Sequence, residues 1–144
     1  MSAAAPSFPA HRHAGGTGSH RQQDRTQLTP KGRETVLHSF GAQGSDVEVP
    51  PAGLIFDQKG NLYGTTSLGG YSGKDDNCDY GCGVVFKLTQ KGRETILYDF
   101  CSQNNCADGE EPNAGLIFDR KGALYGTTTY GGAYEQGVVF KLTP

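Results

Sequence analysis

The chain has 144 residues, including 22 glycines, and its 13 basic and 15 acidic side chains leave a formal net charge of −2. This near-neutral balance gives no electrostatic footprint for binding nucleic acid or an anionic membrane. The sequence has no run of about eighteen apolar residues that could cross a bilayer as a helix, and its glycines are too irregularly spaced for collagen.

The N-terminal segment differs in composition from the rest of the chain. Met1–Gln27 is rich in Ala, Gly, Ser, Gln and Pro, and its apolar residues are scattered without a bulky run. Such a segment buries too little apolar surface to fold, so residues 1–27 are predicted to be a disordered tail. No apolar stretch in it has the length of a signal-peptide core. Its histidines His11, His13 and His20 are typical of a solvated tail, with metal binding as the alternative.

From residue 28 onward, short apolar runs are separated by Gly, Asp, Asn and Pro. The runs are rich in Val, Ile, Phe, Tyr and Thr, which favour strands, and none has the length or spacing of an amphipathic helix. The sequence therefore predicts an all-β fold. The predicted strands are Glu34–Phe40, Ala52–Asp57, Leu62–Ser67, Gly83–Thr89, Glu94–Phe100, Ala114–Asp119, Leu124–Thr129 and Gly137–Thr143.

These strands recur as copies within the chain. Residues 52–70 return at 114–132 with 15 of 19 positions identical, residues 28–40 return at 88–100, and GVVFKLT at 83–89 returns unchanged at 137–143. Residues shared by the copies of a repeat serve packing. The predicted core or inter-sheet residues are therefore Leu54 and Leu116, Phe56 and Phe118, Tyr63 and Tyr125, and Phe86 and Phe140.

Short turns join neighbouring strands into antiparallel hairpins. Residues 57–60, 90–93 and 119–122 carry the Asp and Gly that such turns favour. Four such strands, labelled A to D in chain order, have the pattern of a propeller blade. We predict a β-propeller-like array of about two four-stranded antiparallel blades in the order D-ABCD-ABC. Strand D spans 34–40, a blade 52–100 and a partial blade 114–143, within a repeat domain at 28–144.

Two blades cannot close a ring, because propellers typically have about 4–8 blades. The predicted partners are therefore further blades, supplied either by a longer chain or by a homo-oligomer.

Four motifs of the repeat domain carry a family resemblance. GVVFKLT, K-G-R-E-T-[VI]-L, AGLIFD and LYGTT with a trailing GG resemble the tandem repeats of bacterial choice-of-anchor proteins of the GloVer type. The resemblance covers residues 28–144 and implies a β-propeller-like array in a secreted or surface-attached protein, with no catalytic residue to transfer. It implies an extracellular or cell-surface location. We expect a structural or interaction module that is not an enzyme.

Two alternative functions remain at this stage. A sugar-binding lectin could form if two-blade chains oligomerise and present aromatic platforms in the loops after strand B, at Tyr71, Tyr80, Tyr130 and Tyr134. The other alternative is a fragment of a propeller hydrolase or lyase, for which the sequence offers no catalytic residue to nominate. A protein partner is also compatible with these loops.

The cysteines break the symmetry between the copies. Cys78, Cys82, Cys101 and Cys106 all flank the single predicted C–D hairpin, formed by the strands at 83–89 and 94–100. If Thr89 faces Glu94, then Cys82 faces Cys101 within disulfide range, which favours Cys82–Cys101 with Cys78–Cys106. The pairing Cys78–Cys82 with Cys101–Cys106 remains an alternative. Free thiols and a structural zinc are the rival readings, although the C-x3-C and C-x4-C spacings depart from those of most zinc ribbons.

Acidic side chains gather in two loops at the same end of the blades. One loop follows strand D and contains Asp108, Glu110 and Glu111. The other loop precedes strand C and contains Asp75, Asp76, Asn77 and Asp79. Together they could bind Ca²⁺, although Tyr80 stands where an EF-hand loop requires glycine. A solvated loop is the preferred interpretation, so no cofactor and no metal is expected.

Overall fold

The structure is a computed structural model that describes residues 25–28, 32–41, 49–70 and 78–144. These residues form β-strands and one short 3-10 turn at Asn104–Cys106. The strands are β1 (Arg25–Leu28), β2 (Glu34–His38), β3 (Ile55–Phe56), β4 (Leu62–Thr66), β5 (Val84–Leu88), β6 (Glu94–Asp99), β7 (Ile117–Phe118), β8 (Leu124–Thr127) and β9 (Val139–Leu142).

The strands form three antiparallel sheets. The first sheet pairs β1 with β2, the second has the order β3-β4-β5-β6, and the third has the order β7-β8-β9. The second sheet is thus a complete ABCD unit and the third an ABC unit. The prediction of an all-β fold built from antiparallel strands is confirmed.

The first sheet begins with a strand of four residues, three of which (25–27) the sequence analysis assigned to the disordered tail. The backbone of Arg25–Leu28 pairs with β2, and Leu28 lies opposite Glu34 just as Leu88 lies opposite Glu94 in the second sheet. β1 is therefore a C strand, and the order of strands is CD-ABCD-ABC, not D-ABCD-ABC. The prediction missed β1 because polar residues stand there where β5 has Val and Phe. The remaining tail residues, 1–24, lie outside the described residues.

Both C–D pairs contain a β-bulge at the same place. In the second sheet, Leu97 has no residue opposite it, whereas the flanking Ile96 and Tyr98 both have one. Leu37 takes the same place in the first sheet. A bulge turns two consecutive side chains towards one side of the strand, and Leu97 and Tyr98 both pack against the apolar cluster next to the third sheet.

The three sheets pack face to face through two apolar clusters. The edge-to-face contact of Phe40 with Phe86, at 5.4 Å between ring centroids, joins the first sheet to the second. The equivalent contact of Phe100 with Phe140, at 5.0 Å, joins the second to the third. The first cluster contains Phe40, Leu62, Val84, Phe86 and Leu88, and the second contains Tyr63, Cys82, Val85, Phe100, Cys101, Cys106, Leu116 and Leu124.

Most of the predicted core residues lie in or against these clusters, but Phe56 and Tyr125 do not. Phe118 packs edge to face on Tyr63 at 5.2 Å, whereas its counterpart Phe56 is exposed. The described part of the first sheet has only C and D strands, so no equivalent of Tyr63 covers Phe56. Gly64 is needed where the ring of Phe86 crosses β4, because a Cβ there would lie 2.6 Å from Cζ of Phe86.

The turn between β3 and β4 is fixed by Asp57. Its carboxylate accepts hydrogen bonds from the backbone N–H groups of Lys59 (2.9 Å) and Asn61 (2.8 Å) and from the hydroxyl of Tyr63 (3.1 Å). Burial raises the pKa of Asp57, but these bonds and the one from the Asn61 amide outweigh it and lower that pKa to about 2. Burial and the bond to Asp57 raise the pKa of Tyr63 to about 12.

Candidate functional site

The first candidate site lies where β5 begins and β6 ends, and we call it the cysteine end. It consists of Cys78, Cys82, Cys101, Cys106 and Glu110. The disulfides are Cys78–Cys82, with Cα atoms 5.3 Å apart, and Cys101–Cys106, with Cα atoms 4.0 Å apart. The favoured connectivity, Cys82–Cys101 with Cys78–Cys106, was wrong, and the alternative pairing is the one observed.

The local pairing follows from two tight turns. Gly81 N–H donates to the carbonyl oxygen of Cys78 at 2.9 Å, which folds Cys78 back towards Cys82. The 3-10 turn at Asn104–Cys106 likewise returns the chain towards Cys101. Each cysteine therefore meets its neighbour along the chain, which the strand register alone could not show.

The register itself was predicted only in part. The predicted pairing of Thr89 with Glu94 was wrong, since Leu88 faces Glu94. Beyond the bulge the alignment shifts by one residue, so that Val84 lies opposite Asp99. Cys82 and Cys101 consequently do lie close together at the end of the two strands.

Asp108 holds the loop that carries the second disulfide. Its Oδ2 accepts hydrogen bonds from the Tyr98 hydroxyl (2.8 Å) and from the backbone N–H (3.0 Å) and hydroxyl (2.8 Å) of Ser102, while Oδ1 accepts from Gln103 N–H at 3.2 Å. Burial raises the pKa of Asp108, but the bonds from Ser102, Tyr98 and Gln103 outweigh it and hold that pKa below its usual value. Burial is also the largest cause that raises the pKa of Tyr98. The carboxylate of Asp108 therefore stabilises the conformation of its own loop.

Glu110 and Glu111 join the cysteine end to the third sheet. The backbone of Glu110 exchanges two hydrogen bonds with Tyr130, at 3.0 and 3.2 Å, and Glu111 N–H donates to the carbonyl oxygen of Cys82 at 2.8 Å. The side chain of Glu110 points to the disulfide, with Oε2 at 3.5 Å from Sγ of Cys78. Because Cys78 is in a disulfide, its sulfur has no proton to donate, and this distance is a contact only.

The predicted calcium ligands are only partly described. Asp75, Asp76 and Asn77 lie outside the described residues, and Asp79 is exposed. Asp108 uses its carboxylate within its own loop, as above. Ca²⁺ binding at this end remains a prediction.

The predicted aromatic platforms are exposed wherever the structure describes them. Tyr80, Tyr130 and Tyr134 present their side chains to solvent, and Tyr71 lies outside the described residues. Exposed tyrosines are suited to stacking on sugar rings, because each presents an apolar face with a polar tip. Carbohydrate binding therefore remains a prediction for these loops.

The second candidate site is the outer face of the third sheet, which the sequence analysis did not identify. We call it the open face, and it consists of Ile117, Tyr125, Thr127 and Val139. Its equivalents in the second sheet are Ile55, Tyr63, Thr65 and Val85, which lie towards the third sheet. Val85 is 0% exposed and Val139 is 79% exposed, although both stand in the same GVVFKLT motif.

The free edge of the third sheet borders this face. In the second sheet β5 pairs with β6, but among the described residues β9 pairs with β8 alone. A groove of about 330 Å³ runs beside β9, between Tyr98 and Asp108 on one side and residues 138–142 on the other. The sequence did not reveal this site, because the GVVFKLT motif is identical in the two copies whereas the burial of its second valine differs.

The comparisons with known proteins identify a repeat family. The family described as Gloeobacter/Verrucomicrobia repeat has a sequence model that matches residues 16–144. A search among curated proteins gave no match. Within the described residues, no helix has the length and apolar character needed to cross a membrane. The two disulfides are typical of proteins in oxidising environments.

Proposed function

Because this chain belongs to the Gloeobacter/Verrucomicrobia repeat family, we propose that it is a structural or interaction module of a secreted or surface repeat protein. Its sheets would pack face to face around an axis, as blades do in a β-propeller. The partner of the open face would be a further sheet of the same repeat type. The disulfides and the resemblance of the repeats support an extracellular or cell-surface location.

One observation carries this proposal, which is the difference in burial between equivalent residues. Val85 is fully buried because the third sheet packs on it. Val139 is 79% exposed because no described residue packs on it in the same way. Ile117, also 67% exposed, corresponds to Ile55, which packs against the second cluster. The open face thus has the same residues that form an inter-sheet contact in the second sheet, but here no described residue packs against them.

The face-to-face contact is already repeated within the chain. Phe40 meets Phe86 in the way that Phe100 meets Phe140, so one geometry serves both junctions. A sheet docked on the open face in the same geometry would bury Ile117 and Val139. Full burial of such side chains contributes about 1.5–3 kcal/mol each, and because Ile117 and Val139 are 67% and 79% exposed, docking would gain roughly 2–4 kcal/mol from the two before the entropic cost of association.

Sedimentation analysis of the purified chain over a range of concentrations tests this proposal. A second copy is the source of a further sheet in that sample, and we expect concentration-dependent association. Val139→Asp should abolish it. At a concentration at which the wild type is monomeric, the variant should melt close to the wild type, because Val139 is 79% exposed within the chain. The control Thr95→Asp, at an exposed position of β6, should associate as the wild type does. A wild-type chain that remains monomeric at the highest concentration would contradict the proposal.

Carbohydrate binding and hydrolase or lyase activity are the alternative functions. No contact among the described residues favours either of them over the structural role. Both remain predictions, and a glycan array with the disulfide-intact chain tests the first. Binding that is lost in a Tyr80→Ala or Tyr134→Ala variant would establish a lectin function.

A further inference from the structure

The cysteine end brings together four side chains that can bind a metal ion. One ligand atom from each of Cys78, Cys82, Cys101 and Glu110 lies within 4.8 Å of every other. The group joins three sulfurs and one carboxylate oxygen from three separate segments of the chain. Cys82 and Cys101 are buried, and Cys78 and Glu110 are half-buried. Such a donor set suits Zn²⁺, which takes thiolate and carboxylate ligands in a tetrahedral arrangement.

Backbone hydrogen bonds, and not the disulfides alone, hold these side chains together. Phe100 N–H donates to the carbonyl oxygen of Gly83 at 3.0 Å, which aligns the ends of β5 and β6 and so places Cys82 beside Cys101. The bond from Glu111 N–H to the carbonyl oxygen of Cys82 fixes Glu110 beside the same pair. The group should therefore stay assembled after the disulfides are reduced.

We propose that the reduced chain binds one Zn²⁺ at the cysteine end, through the thiolates of Cys78, Cys82 and Cys101 and the carboxylate of Glu110. Zn–S bonds of about 2.3 Å in a tetrahedron place sulfurs about 3.8 Å apart, so ligand atoms that lie as far apart as 4.8 Å need to approach by about 1 Å. The sulfurs of Cys78 and Cys82, which are bonded to each other in the oxidised chain, need to separate by about 2 Å. Rotation of the side chains supplies that movement once the S–S bonds are broken. The cysteine end then has two states, one with two local disulfides and one with a bound metal.

An external dithiol converts the oxidised state of the cysteine end into the reduced state. Each disulfide accepts two electrons and two protons from a dithiol, which becomes a disulfide itself, and yields two thiols. Zinc binding then releases the three thiol protons of Cys78, Cys82 and Cys101, and Cys106 keeps its proton. Oxidation reverses these steps and expels the ion, because a sulfur in a disulfide is no longer a thiolate ligand.

Cys106 gives the proposal a matched control. It is as buried as Cys82, and it is paired with Cys101, but it is not one of the four residues whose ligand atoms converge. Replacing it should leave the zinc site of the reduced chain intact. Replacing Cys101 removes a ligand.

The test compares zinc binding by the reduced and the oxidised full-length chain. The chain is reduced with dithiothreitol, desalted without oxygen, equilibrated with Zn²⁺ alone, dialysed and analysed for bound metal. We expect one Zn²⁺ more per reduced chain than per oxidised chain. The oxidised chain is the control for ions held by His11, His13 and His20, since both forms have these residues. Equal zinc content in the two forms would overturn the proposal.

Variants test the ligand set in the same assay. Cys101→Ser and Glu110→Gln should each weaken zinc binding by the reduced chain more than about tenfold, and Cys106→Ser should bind as the wild type does. A loss in Cys106→Ser as large as in Cys101→Ser would overturn the assignment. If the reduced chain unfolds without metal, circular dichroism measures whether Zn²⁺ restores its folded structure. Refolding upon addition of Zn²⁺ supports the site, and a chain that stays unfolded with Zn²⁺ refutes it.

Discussion

Val85 and Val139 provide a matched pair for testing how the sheets pack. Val85→Ala removes two methyl groups from a side chain that is 0% exposed between the second and third sheets. At about 0.8 kcal/mol for each group, the loss of burial amounts to about 1.6 kcal/mol, and the cavity left behind raises the total to about 2–3 kcal/mol. The same change at Val139, which is 79% exposed, should alter the free energy of unfolding by less than about 0.5 kcal/mol.

Chemical denaturation and thermal melting of the two variants measure this difference. The experiment should use a protein concentration at which the chain is monomeric, so that association does not contribute to stability. For a domain of this size, 2–3 kcal/mol corresponds to a decrease in melting temperature of roughly 8–12 °C, and Val139→Ala should melt within about 2 °C of the wild type. Equal losses in the two variants would refute the face-to-face packing of the second and third sheets and, with it, the identification of the open face.

Three further predictions concern single positions. Gly64→Ala should lower the free energy of unfolding by about 1–3 kcal/mol, because the added Cβ meets the ring of Phe86; an unchanged denaturation midpoint would contradict this. Asp108→Asn should lower it by about 1–2 kcal/mol and speed proteolysis after Gln103, because the loop loses charge-assisted bonds; equal cleavage rates would show that the loop does not need them. Since the pKa of Asp57 falls from about 3.9 in the unfolded chain to about 2 in the folded one, its stabilising effect is present above pH 4 and is lost as the pH falls towards 2. The difference in melting temperature between wild type and Asp57→Asn should therefore shrink over that range, and a constant difference would refute the assignment.

The internal copies made most of the fold predictable. Because AGLIFD, LYGTT and GVVFKLT occur twice, their strand pattern could be checked within one sequence, and the structure has strands at each of these places. β1 was missed because its polar residues do not alternate with apolar ones, and its identity appears only in the register with β2. The bulge at Leu97 was also missed, since an extra residue in a ladder leaves no sign in composition.

The candidate sites were predictable to a smaller degree. The cysteines stood out as a departure from the repeat, and their proximity followed from strand pairing. The choice between local and cross-strand disulfides did not, because it depends on the turns at Gly81 and at Asn104–Cys106. The place of Glu110 next to Cys78 could not be derived either, since the residues lie in different loops whose paths the sequence does not define.

The shared bulge gives the stack of sheets a direction. In each C–D pair the extra leucine turns two neighbouring side chains towards the following sheet and none towards the preceding one, so the two broad sides of a sheet are different surfaces. Growth by this contact therefore proceeds from head to tail, and the same side cannot meet itself across a two-fold axis in the same way. An assembly that reuses the junction has only two outcomes: a ring that returns to its start, or a filament without an intrinsic length.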